Sequence, residues 1–467
     1  MKSKDLLLLL PIENQVRELD PRLLLACIAA RRGFPSVIGP LRWLESRITS
    51  FPRSVYLSKS MLSGRVKMFQ VMIDLGLKIM TLDEEALVHL PAETYFSRRV
   101  SPEAIKYVSH LLAWGPDNAE LWRQYPHLPE DTQIHITGNP RGDLLRPEMR
   151  PFYEKEAAQI RDTYGEFILI NTNFNHVNAF YPSMNLFQPV SAPGEKPRFG
   201  RAAKGMSREY AEGFRDHKQA IFQTFKQLVP ALDQAFSNYT IVVRPHPIEN
   251  QEIYQSVAAR CERVRVTNEG NIVPWLMAAK ALIHNGCTTG VEAYVMGVPA
   301  ISYRATVNDF YDLGFYRLPN LLSYQCLDFE ELQATLGKIL AGELGAADGK
   351  ERKELIDHYL AAQDGPLACE RMVDVLEEML GGRSKLPKPD WRHQLMGCYR
   401  ATKLGLKRHY KLRFSRSHIT PQFQRHRYPE TSLEEVRARV VRFQQVLGDT
   451  SELKLEQIVN QIYHISA

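Results

Sequence analysis

The sequence lacks long apolar runs and patterned cysteines, and each absence excludes a class of protein. Near the start, the apolar run from Leu6 to Leu10 is followed at once by Pro11, which is too short for a signal peptide or a membrane span. No later segment reaches the length of about 18 apolar residues that a transmembrane helix needs, so none is predicted. The six cysteines are scattered without a CxxC pair. This argues against a disulfide framework or a zinc site and fits a reducing cytoplasm.

Charge is concentrated in one part of the chain. The net charge at pH 7 is +6, yet Arg383 to Arg427 holds thirteen Lys and Arg against one acid, Asp390. The remaining sequence has 46 basic and 52 acidic residues. The pattern predicts an acidic body that carries a localised basic segment, and it argues against a protein that binds polyanions over its whole surface.

The basic segment, residues 383–427, alternates its cations with aromatic and aliphatic side chains. Among them are Tyr399, Arg400, Lys403, Leu404, Leu406, Lys407, Arg408, Tyr410, Lys411, Leu412, Arg413 and Phe414. This alternation favours contact with an anionic membrane surface, to which each cation contributes about 1 kcal/mol. No nucleic-acid reading module accompanies the charge, so no nucleic-acid partner is expected. The alternative is a solvated stretch that packs on the acidic body.

The order of apolar and amphipathic segments indicates an α/β protein. At 467 residues the chain is too long for one core, and two or three domains are expected. A first unit of strand, helix and strand is predicted, with Leu6–Leu10 as its first strand and Asp20 as the N-cap of a helix that has Pro21 at its first position. The same alternation resumes at Phe167–Asn171 and continues to Tyr303, which is typical of a doubly wound parallel sheet.

Two strand ends between Ile241 and Arg304 carry polar loops rich in proline or glycine. One apolar run ends in Arg244-Pro245-His246-Pro247, and a later one ends in His284-Asn285-Gly286-Cys287-Thr288-Thr289-Gly290. Parallel sheets bind phosphorylated ligands at their carboxyl edge in loops of this kind. The stretch is therefore predicted to hold a nucleotide-activated donor.

The loop from Arg244 to Pro247 suits an anionic ligand. Pro245 and Pro247 lack backbone donors and stiffen the turn, so the loop presents side chains rather than amides. A guanidinium and an imidazole together can hold a phosphate or the carboxylate of an acidic sugar. Arg244 and His246 are thus candidate donor-binding residues. The alternative for His246 is a satisfied histidine in a rigid turn.

The second loop leads into a helix of small residues. Gly286 and Gly290 let the backbone approach a ligand closely, and Thr288 and Thr289 stand before a helix whose free amides can bind phosphate. The alternative is that a threonine merely caps the helix. Glu292, in the first turn, could accept ribose hydroxyls or pair with the helix dipole.

The two loops also carry a family resemblance. RPHP, followed by a strand ending in GCTTGVEAYVMGVPAI, resembles the donor half of GT-B glycosyltransferases of bacterial surface polysaccharides, a group that includes Kdo- and sialic-acid-transferring enzymes. Earlier stretches are similar to a surface carbohydrate biosynthesis family, namely NQVRELDPRLLLACIAARRG, TLDEEALVHL and ITGNPRGDLLRPE followed by FILINTNFN. The resemblance covers roughly residues 5–380.

The resemblance implies a GT-B fold, in which two Rossmann-like domains face a cleft that holds the active site. The expected division is an acceptor-side domain over residues 1–160 and a nucleotide-sugar donor domain over 161–382. Residues 383–467 would then form a basic, helical C-terminal extension.

The resemblance also assigns roles within the donor site. His246 and the pair Thr288 and Thr289 would contact the nucleotide phosphate of the donor, with help from Arg244. No metal ion or other cofactor is expected, because such enzymes need none and no DxD carboxylate pair or HExxH motif stands at a donor site. Protein cations and helix amides would neutralise the leaving group instead. The candidate donor-binding set is Asn173, Arg244, His246, Gly286, Thr288, Thr289, Gly290 and Glu292.

The base or nucleophile is expected from the first domain, because glycosyl transfer needs a group that deprotonates the acceptor or attacks the anomeric carbon. Asp83 and Glu84 follow a predicted strand and are the first candidates, with Glu85 beside them. Glu13, with Glu18 nearby, follows the first strand and is the next candidate. Clustered carboxylates can raise one another's pKa, which favours a base. The alternative is a helix start decorated with acids.

The predicted function is a metal-independent glycosyltransferase at the cytoplasmic face of the inner membrane. It would move a sugar, with CMP-activated Kdo or another acidic sugar as the favoured donor, onto a lipid-linked glycan of lipopolysaccharide or capsule. Alternatives are a catalytically inactive GT-B-like scaffold, a UDP-sugar epimerase and a CDP-glycerol-type transferase.

Overall fold

The computed structural model describes residues 6–89, 91–190, 194–312, 316–414 and 427–467. The chain folds into two compact units, one of residues 1–152 together with 354–467 and one of residues 153–353. The division differs from the expected boundaries, because the C-terminal residues return to the first unit. Within the described residues, no helix has the length and apolar character required to cross a membrane.

The first unit is built on one mixed sheet. Its strands, numbered in chain order, are β1 (Leu7–Ile12), β2 (Ser36–Pro40), β3 (Ser54–Ser58), β4 (Lys78–Thr81), β5 (His110–Ala113), β6 (Gln133–Ile136), β13 (Lys454–Val459) and β14 (Ile462–Ser466). They lie in the order β13–β14–β2–β1–β3–β4–β5–β6, and β1 to β6 are parallel. Every residue of β1 is buried, as the continuous apolar run predicts. From β1 the chain adds β2 on one side of it and then β3 to β6 on the other side, so the order of strand addition switches between β1 and β3.

The first helix begins earlier than the sequence predicts. The helices of this unit are α1 (Gln15–Arg31), α2 (Leu41–Ser46), α3 (Val66–Asp74), α4 (Ala92–Arg99), α5 (Pro102–Ile105), α6 (Pro116–Arg123), α7 (Pro140–Asp143), α16 (Ala368–Leu380), α17 (Trp391–Phe414) and α18 (Leu433–Val446). Glu18 accepts the backbone N–H groups of Glu13 at 2.8 Å and Asn14 at 3.3 Å, which fixes the start of α1 before Pro21. The predicted N-cap, Asp20, instead pairs with Arg439 at 2.5 Å.

Two sets of hydrogen bonds join the C-terminal residues to the first unit, one made by the Asp143 side chain and one made by pairing with β2. The Asp143 carboxylate accepts the backbone N–H groups of Ala368 at 2.7 Å and Cys369 at 2.9 Å, at the start of α16. Residues 454–466 form a hairpin rather than a helix, and β14 pairs antiparallel with β2. Strand-favouring Ile and Val residues and a turn with Gln461 at φ 61° explain the hairpin. The extension is therefore helical only in part.

The second unit is built on a fully parallel sheet. Its strands are β7 (Phe167–Asn171), β8 (Thr240–Arg244), β9 (Val264–Val266), β10 (Ala281–His284), β11 (Ala300–Tyr303) and β12 (Tyr324–Cys326). They lie in the order β12–β11–β10–β7–β8–β9. This order is the doubly wound arrangement that the alternation of strands and helices predicts.

Helices cover this second sheet and bury its strands. They are α8 (Glu154–Tyr164), α9 (Arg208–Ala235), α10 (Glu252–Ala258), α11 (Ile272–Ala278), α12 (Thr289–Met296), α13 (Arg317–Leu321) and α14 (Phe329–Leu340), with α15 (Lys350–Tyr359) at the boundary of the two units. Phe222, Phe225 and Leu232 of α9 pack in one core with β7, β8 and β10. The apolar spacing on α9 thus fixes this long helix against the sheet.

Candidate functional site

Three neighbouring strands of the second sheet end side by side. Asn171, the last residue of β7, is in register with Arg244 of β8 on one side and with His284 of β10 on the other. From β7 the chain adds β8 and β9 on one side and then β10 to β12 on the other side, so the order of strand addition switches between β7 and β10. Open α/β sheets bind ligands outside the carboxyl ends of their strands at such a point. The two loops singled out from the sequence follow β8 and β10 at this edge.

A buried carboxylate holds the loop after β8. Glu249 is 1% exposed, and its Oε1 accepts from the Thr172 hydroxyl at 3.0 Å and from the His246 backbone N–H at 3.1 Å. Its Oε2 accepts from the Tyr254 hydroxyl at 2.6 Å. Burial raises the pKa of Glu249. The residue ties the loop after β7 to the loop after β8, a role that the sequence analysis missed because the partners are far apart in the chain.

His246 lies in this loop with its ring oriented by the backbone. Its Nδ1 accepts the N–H of Ile248 at 3.3 Å, so the neutral ring carries its proton on Nε2. The side chain is half-buried. An Nε2–H donor at the carboxyl edge of a sheet can bond a phosphate or carboxylate oxygen. Contact of His246 with a donor stays a prediction.

Arg244 is held by its own unit. Its Nη1 donates to the Glu269 carbonyl at 2.7 Å and its Nη2 to the Gly270 carbonyl at 3.1 Å, and the guanidinium lies 4.7 Å from the centre of the Trp275 ring. Burial lowers its pKa to about 9. These bonds fix the loop after β9, so the structure shows a supporting role for Arg244. Its direct contact with a donor phosphate stays a prediction.

The two glycines of the second loop allow close packing within the protein. Gly286 has φ 84°, and a Cβ there would lie 2.5 Å from the Tyr316 ring. A Cβ on Gly290 would lie 2.5 Å from Nε2 of His284, which is fully buried. The His284 ring bonds Ser323 Oγ at 2.8 Å, accepts the Gly286 N–H at 3.0 Å, and has its pKa lowered by burial to about 3. The glycines therefore make room for the Tyr316 and His284 side chains, and their contact with a ligand stays a prediction.

Helix α12 starts without a side-chain cap. Thr288 occupies the N-cap position, but its hydroxyl makes no capping bond. The Thr289 hydroxyl instead contacts Cys287 Sγ at 2.5 Å. Glu292 is buried in the first turn. The Thr288 hydroxyl therefore does not cap the helix. The Gly290 N–H donates to the Cys287 carbonyl and the Val291 N–H to the Thr288 carbonyl, both at 3.0 Å, so any attraction of an anion to this helix start comes from the helix dipole.

Asn285 lies in the same loop but is absent from the donor-binding set predicted from the sequence. It is 7% exposed, and neither its Oδ1 nor its Nδ2 has a hydrogen-bond partner within the described parts of the chain. The Oδ1 atom of Asn171, on the neighbouring strand end, lacks a partner in the same sense. Buried amides are almost always bonded in folded proteins, so a ligand or an ordered water is expected to bond these atoms. Asn173, in the predicted set, is half-buried in the loop after β7.

In the first unit, Glu13 and Glu18 follow β1, next to the point where the order of strand addition switches. Lys59 lies between the two carboxylates. Lys59 Nζ lies 3.0 Å from Glu13 and 2.5 Å from Glu18, and Arg427 Nη1 lies 2.7 Å from Glu13. Burial alone would raise the pKa of Glu13, but attraction to Lys59 and Arg427 outweighs it and holds that pKa well below its usual range. A general base works best with a pKa near the working pH. The expectation that clustering raises this carboxylate's pKa is therefore wrong for Glu13.

Asp83 is a structural carboxylate. It is fully buried, accepts from the Tyr95 hydroxyl at 2.8 Å and from Arg99 Nε at 3.3 Å, and also pairs with Arg99 Nη2. Its backbone carbonyl accepts from Trp114 Nε1 at 2.8 Å. The absence of exposed surface and the bonds to Tyr95 and Arg99 indicate a structural role and disfavour Asp83 as the base.

Glu84 keeps one oxygen outside such bonding. Its Oε1 accepts from Arg22 Nη2 at 2.9 Å, whereas its Oε2 lies 3.9 Å from Arg141 Nη1, which is too long for a hydrogen bond. Its neighbour Glu85 is exposed. Of the two first candidates, Asp83 and Glu84, the structure thus favours Glu84, and its role as the base stays a prediction. Among the described residues, no group of three or more His, Cys, Asp or Glu side chains is placed to hold a metal ion.

Solved structures match this fold at low sequence identity. No protein-family model and no curated protein matches the chain. Two UDP-GlcNAc 2-epimerases align over 81% of this chain at 11% identity: one from Methanocaldococcus jannaschii, covered over 100% of its length with a TM-score of 0.46, and one from Neisseria meningitidis bound to UDP-GlcNAc, covered over 99% with a TM-score of 0.44. A histidine-to-alanine variant of the wall teichoic acid polymerase TagF aligns with a TM-score of 0.50 at 9% identity, over 81% of this chain and 90% of that one. The chain thus has the predicted α/β architecture of the GT-B type, with two Rossmann-like units.

Proposed function

We propose that the second unit binds a nucleotide-activated donor and that the protein transfers the activated group to a hydroxyl acceptor. The observation that carries this proposal is Asn285, a buried amide with both polar atoms unpaired beside the start of α12. A ligand with hydrogen-bonding atoms at this point would satisfy it, and the helix amides favour negative charge there. His246 follows β8, which is two strands away from β10 at the same edge of the sheet. Together these groups suit a nucleotide phosphate.

The leaving group in such a transfer is a nucleotide phosphate whose negative charge grows as its bond to the donor breaks. Fixed amides and an imidazole N–H stabilise this charge because they need no reorganisation during the reaction. The α12 N-terminus and His246 would therefore act on the leaving phosphate, with Thr288 and Thr289 beside them. No metal ion is part of this proposal. Glu84 is the proposed base that takes the acceptor proton.

We favour a cytidine nucleotide as the donor. A CMP-sugar releases CMP when its sugar is transferred, and CDP-glycerol also releases CMP when glycerol phosphate is transferred. The loop resemblance favours CMP-activated Kdo or another acidic sugar, and the similarity in fold to TagF keeps CDP-glycerol as the alternative. The proposed acceptor is a lipid-linked surface glycan in either case. An epimerase would instead convert UDP-GlcNAc without an acceptor.

Thermal unfolding with separate nucleotides tests this function. CMP and either CMP-Kdo or CDP-glycerol should raise the unfolding temperature, because a ligand at a hundred times its Kd stabilises the folded state by about 2.7 kcal/mol. UDP and UDP-GlcNAc, at the same concentrations, should shift it less. Stabilisation by uridine nucleotides alone would favour the epimerase, and no shift with any nucleotide would favour the inactive scaffold.

The proposal includes docking on an anionic membrane through α17. Within the described part of the basic segment, which leaves out 415–426, apolar side chains on α17 are exposed at a spacing that places them on one face of the helix. They are Trp391, Leu395, Tyr399, Leu406 and Tyr410, each more than 60% exposed. Arg392, Lys403 and Lys407 are exposed beside them, and α17 has no acidic residue. This charge matches anionic headgroups, and the apolar side chains would enter the headgroup layer.

The opposite face of α17 is fixed to the first unit. Arg400 pairs with Asp74 at 2.5 Å and Arg408 with Glu45 at 2.7 Å, and Gly397 packs against Leu75. These contacts account for two of the cations as ion pairs within the unit. Arg392, Lys403, Lys407 and the apolar face are thus presented on a helix that is anchored to the first unit.

Vesicle sedimentation tests the docking. The protein should bind vesicles that contain phosphatidylglycerol, bind pure phosphatidylcholine much less, and dissociate as salt rises, because the Debye length shortens from about 10 Å at 0.1 M to about 3 Å at 1 M. The double variant Leu395→Glu, Leu406→Glu should lose binding. Leu327→Glu, at an exposed leucine of the second unit, is the matched control and should bind as the parent does. Equal binding to both lipids, or a dimer that the double variant dissolves, would contradict a lipid surface.

A further inference from the structure

The long helix α9 carries a lysine in the interior of the second unit. Lys218 is 1% exposed, and its Nζ lies 3.6 Å from the centre of the Tyr316 ring and 5.6 Å from that of Phe214. Lysine is almost never fully buried unless it is paired. The position of Lys218 therefore needs an explanation.

The carboxylate whose charge acts on Lys218 is Asp312, which is bound to other side chains. Asp312 bonds His217 Nε2 at 2.8 Å and lies 3.6 Å from Arg304 Nη2. Lys218 forms no ion pair or hydrogen bond with any residue in the described ranges, and Asp312 acts on it only from a longer distance. Burial lowers the pKa of Lys218 to about 7, although Asp312 opposes the shift. The protein thus buries an amine that has no carboxylate partner among the described residues, and charging it there costs stability.

Contacts place Lys218 beside the loop that leads into α12. The Tyr316 ring, on which Nζ lies, also packs against Gly286, where a Cβ would come within 2.5 Å of it. Asn285, with its unpaired amide, directly precedes Gly286. The Tyr316 ring therefore contacts both the buried lysine and the loop that carries the Asn285 amide.

We infer that Lys218 is a donor-binding residue whose ammonium group meets the phosphate or diphosphate of the bound nucleotide. The inference rests on the proposed function and adds to it a cation that neither the sequence motifs nor the strand ends supply. Arg244 is bonded to two backbone carbonyls, so we assign the contact with the phosphate to Lys218 rather than to Arg244. A buried charge kept without a partner is typical of a functional site, where stability is lost in favour of ligand binding.

The variant Lys218→Met separates this role from a structural one. Methionine fills a similar volume without charge, so the ligand-free variant should unfold at a higher temperature than the parent. Its affinity for CDP and for inorganic pyrophosphate, measured by calorimetry, should fall by about tenfold or more, because a hydrogen bond to a charged group is lost. Lys226→Met, two turns along the same helix at a lysine 5.1 Å from the Phe222 ring centre, is the matched control and should change neither quantity.

The outcomes distinguish this inference from the proposed function. If the parent protein binds CDP and pyrophosphate but Lys218→Met binds them equally well, the assignment of Lys218 is wrong while the donor site stands. If Lys218→Met unfolds at a lower temperature than the parent, the lysine stabilises the fold and the inference is again wrong. If the parent binds neither CMP, CDP nor pyrophosphate, the proposed function and the inference fail together.

Discussion

Replacing Asn285 by leucine should make the ligand-free protein more stable and remove most of its affinity for cytidine nucleotides. Asn285 is buried with both amide atoms unpaired in the described structure, and an unsatisfied buried group costs about 1–3 kcal/mol. Leucine has a similar size and no polar atom, so this cost disappears. The lost hydrogen bonds to the ligand should raise the Kd for CMP by at least about tenfold. Urea unfolding and calorimetric titration measure the two effects.

A second buried asparagine of the same unit provides the control. Asn320 is also 7% exposed, but its Oδ1 accepts from the Ser302 hydroxyl at 2.7 Å. Asn320→Leu should therefore lower the free energy of unfolding, because Ser302 is left buried without a partner. If Asn285→Leu is destabilising to the same extent, the Asn285 amide is bonded within the protein, and the observation that supports the donor site is lost.

The fold followed from local patterns in the sequence. Continuous apolar runs such as Leu7–Ile12 predict buried parallel strands, and their alternation with helices predicts doubly wound sheets. The hairpin of residues 454–466 and the return of residues 354–467 to the first unit depend on pairing with β2 and on the bonds of Asp143. Such partners lie hundreds of positions away in the chain, and no local periodicity reports them.

The position of the candidate site is easier to predict from the sequence than the role of each of its side chains. Proline and glycine punctuation placed the loops after β8 and β10 correctly, because turn chemistry is local. Whether a polar side chain is free to meet a ligand depends on its neighbours in space. Arg244 is bonded to the loop after β9, and Lys59 separates Glu13 from Glu18. Asn285 and Lys218 are informative because no described residue forms a hydrogen bond or ion pair with their side chains, and the sequence alone does not reveal a missing partner.

Replacing Asp83 by asparagine should destabilise the first unit and leave the chemistry of the folded protein unchanged. Asp83 is fully buried and forms an ion pair with Arg99, whose side chain is 24% exposed. Breaking a buried pair by removing one partner costs about 3–5 kcal/mol, and the partial exposure of Arg99 favours the lower end of that range. The surface pair of Asp216 with Arg215, in which the acid is 63% exposed, supplies the control Asp216→Asn, expected to change stability by less than about 1 kcal/mol. Urea unfolding should show the difference between the two variants, and the release of CMP by the folded Asp83→Asn protein should match the parent. A folded Asp83→Asn protein of normal stability that no longer releases CMP would restore Asp83 as the base and would require a state in which its carboxylate leaves Arg99 and Tyr95.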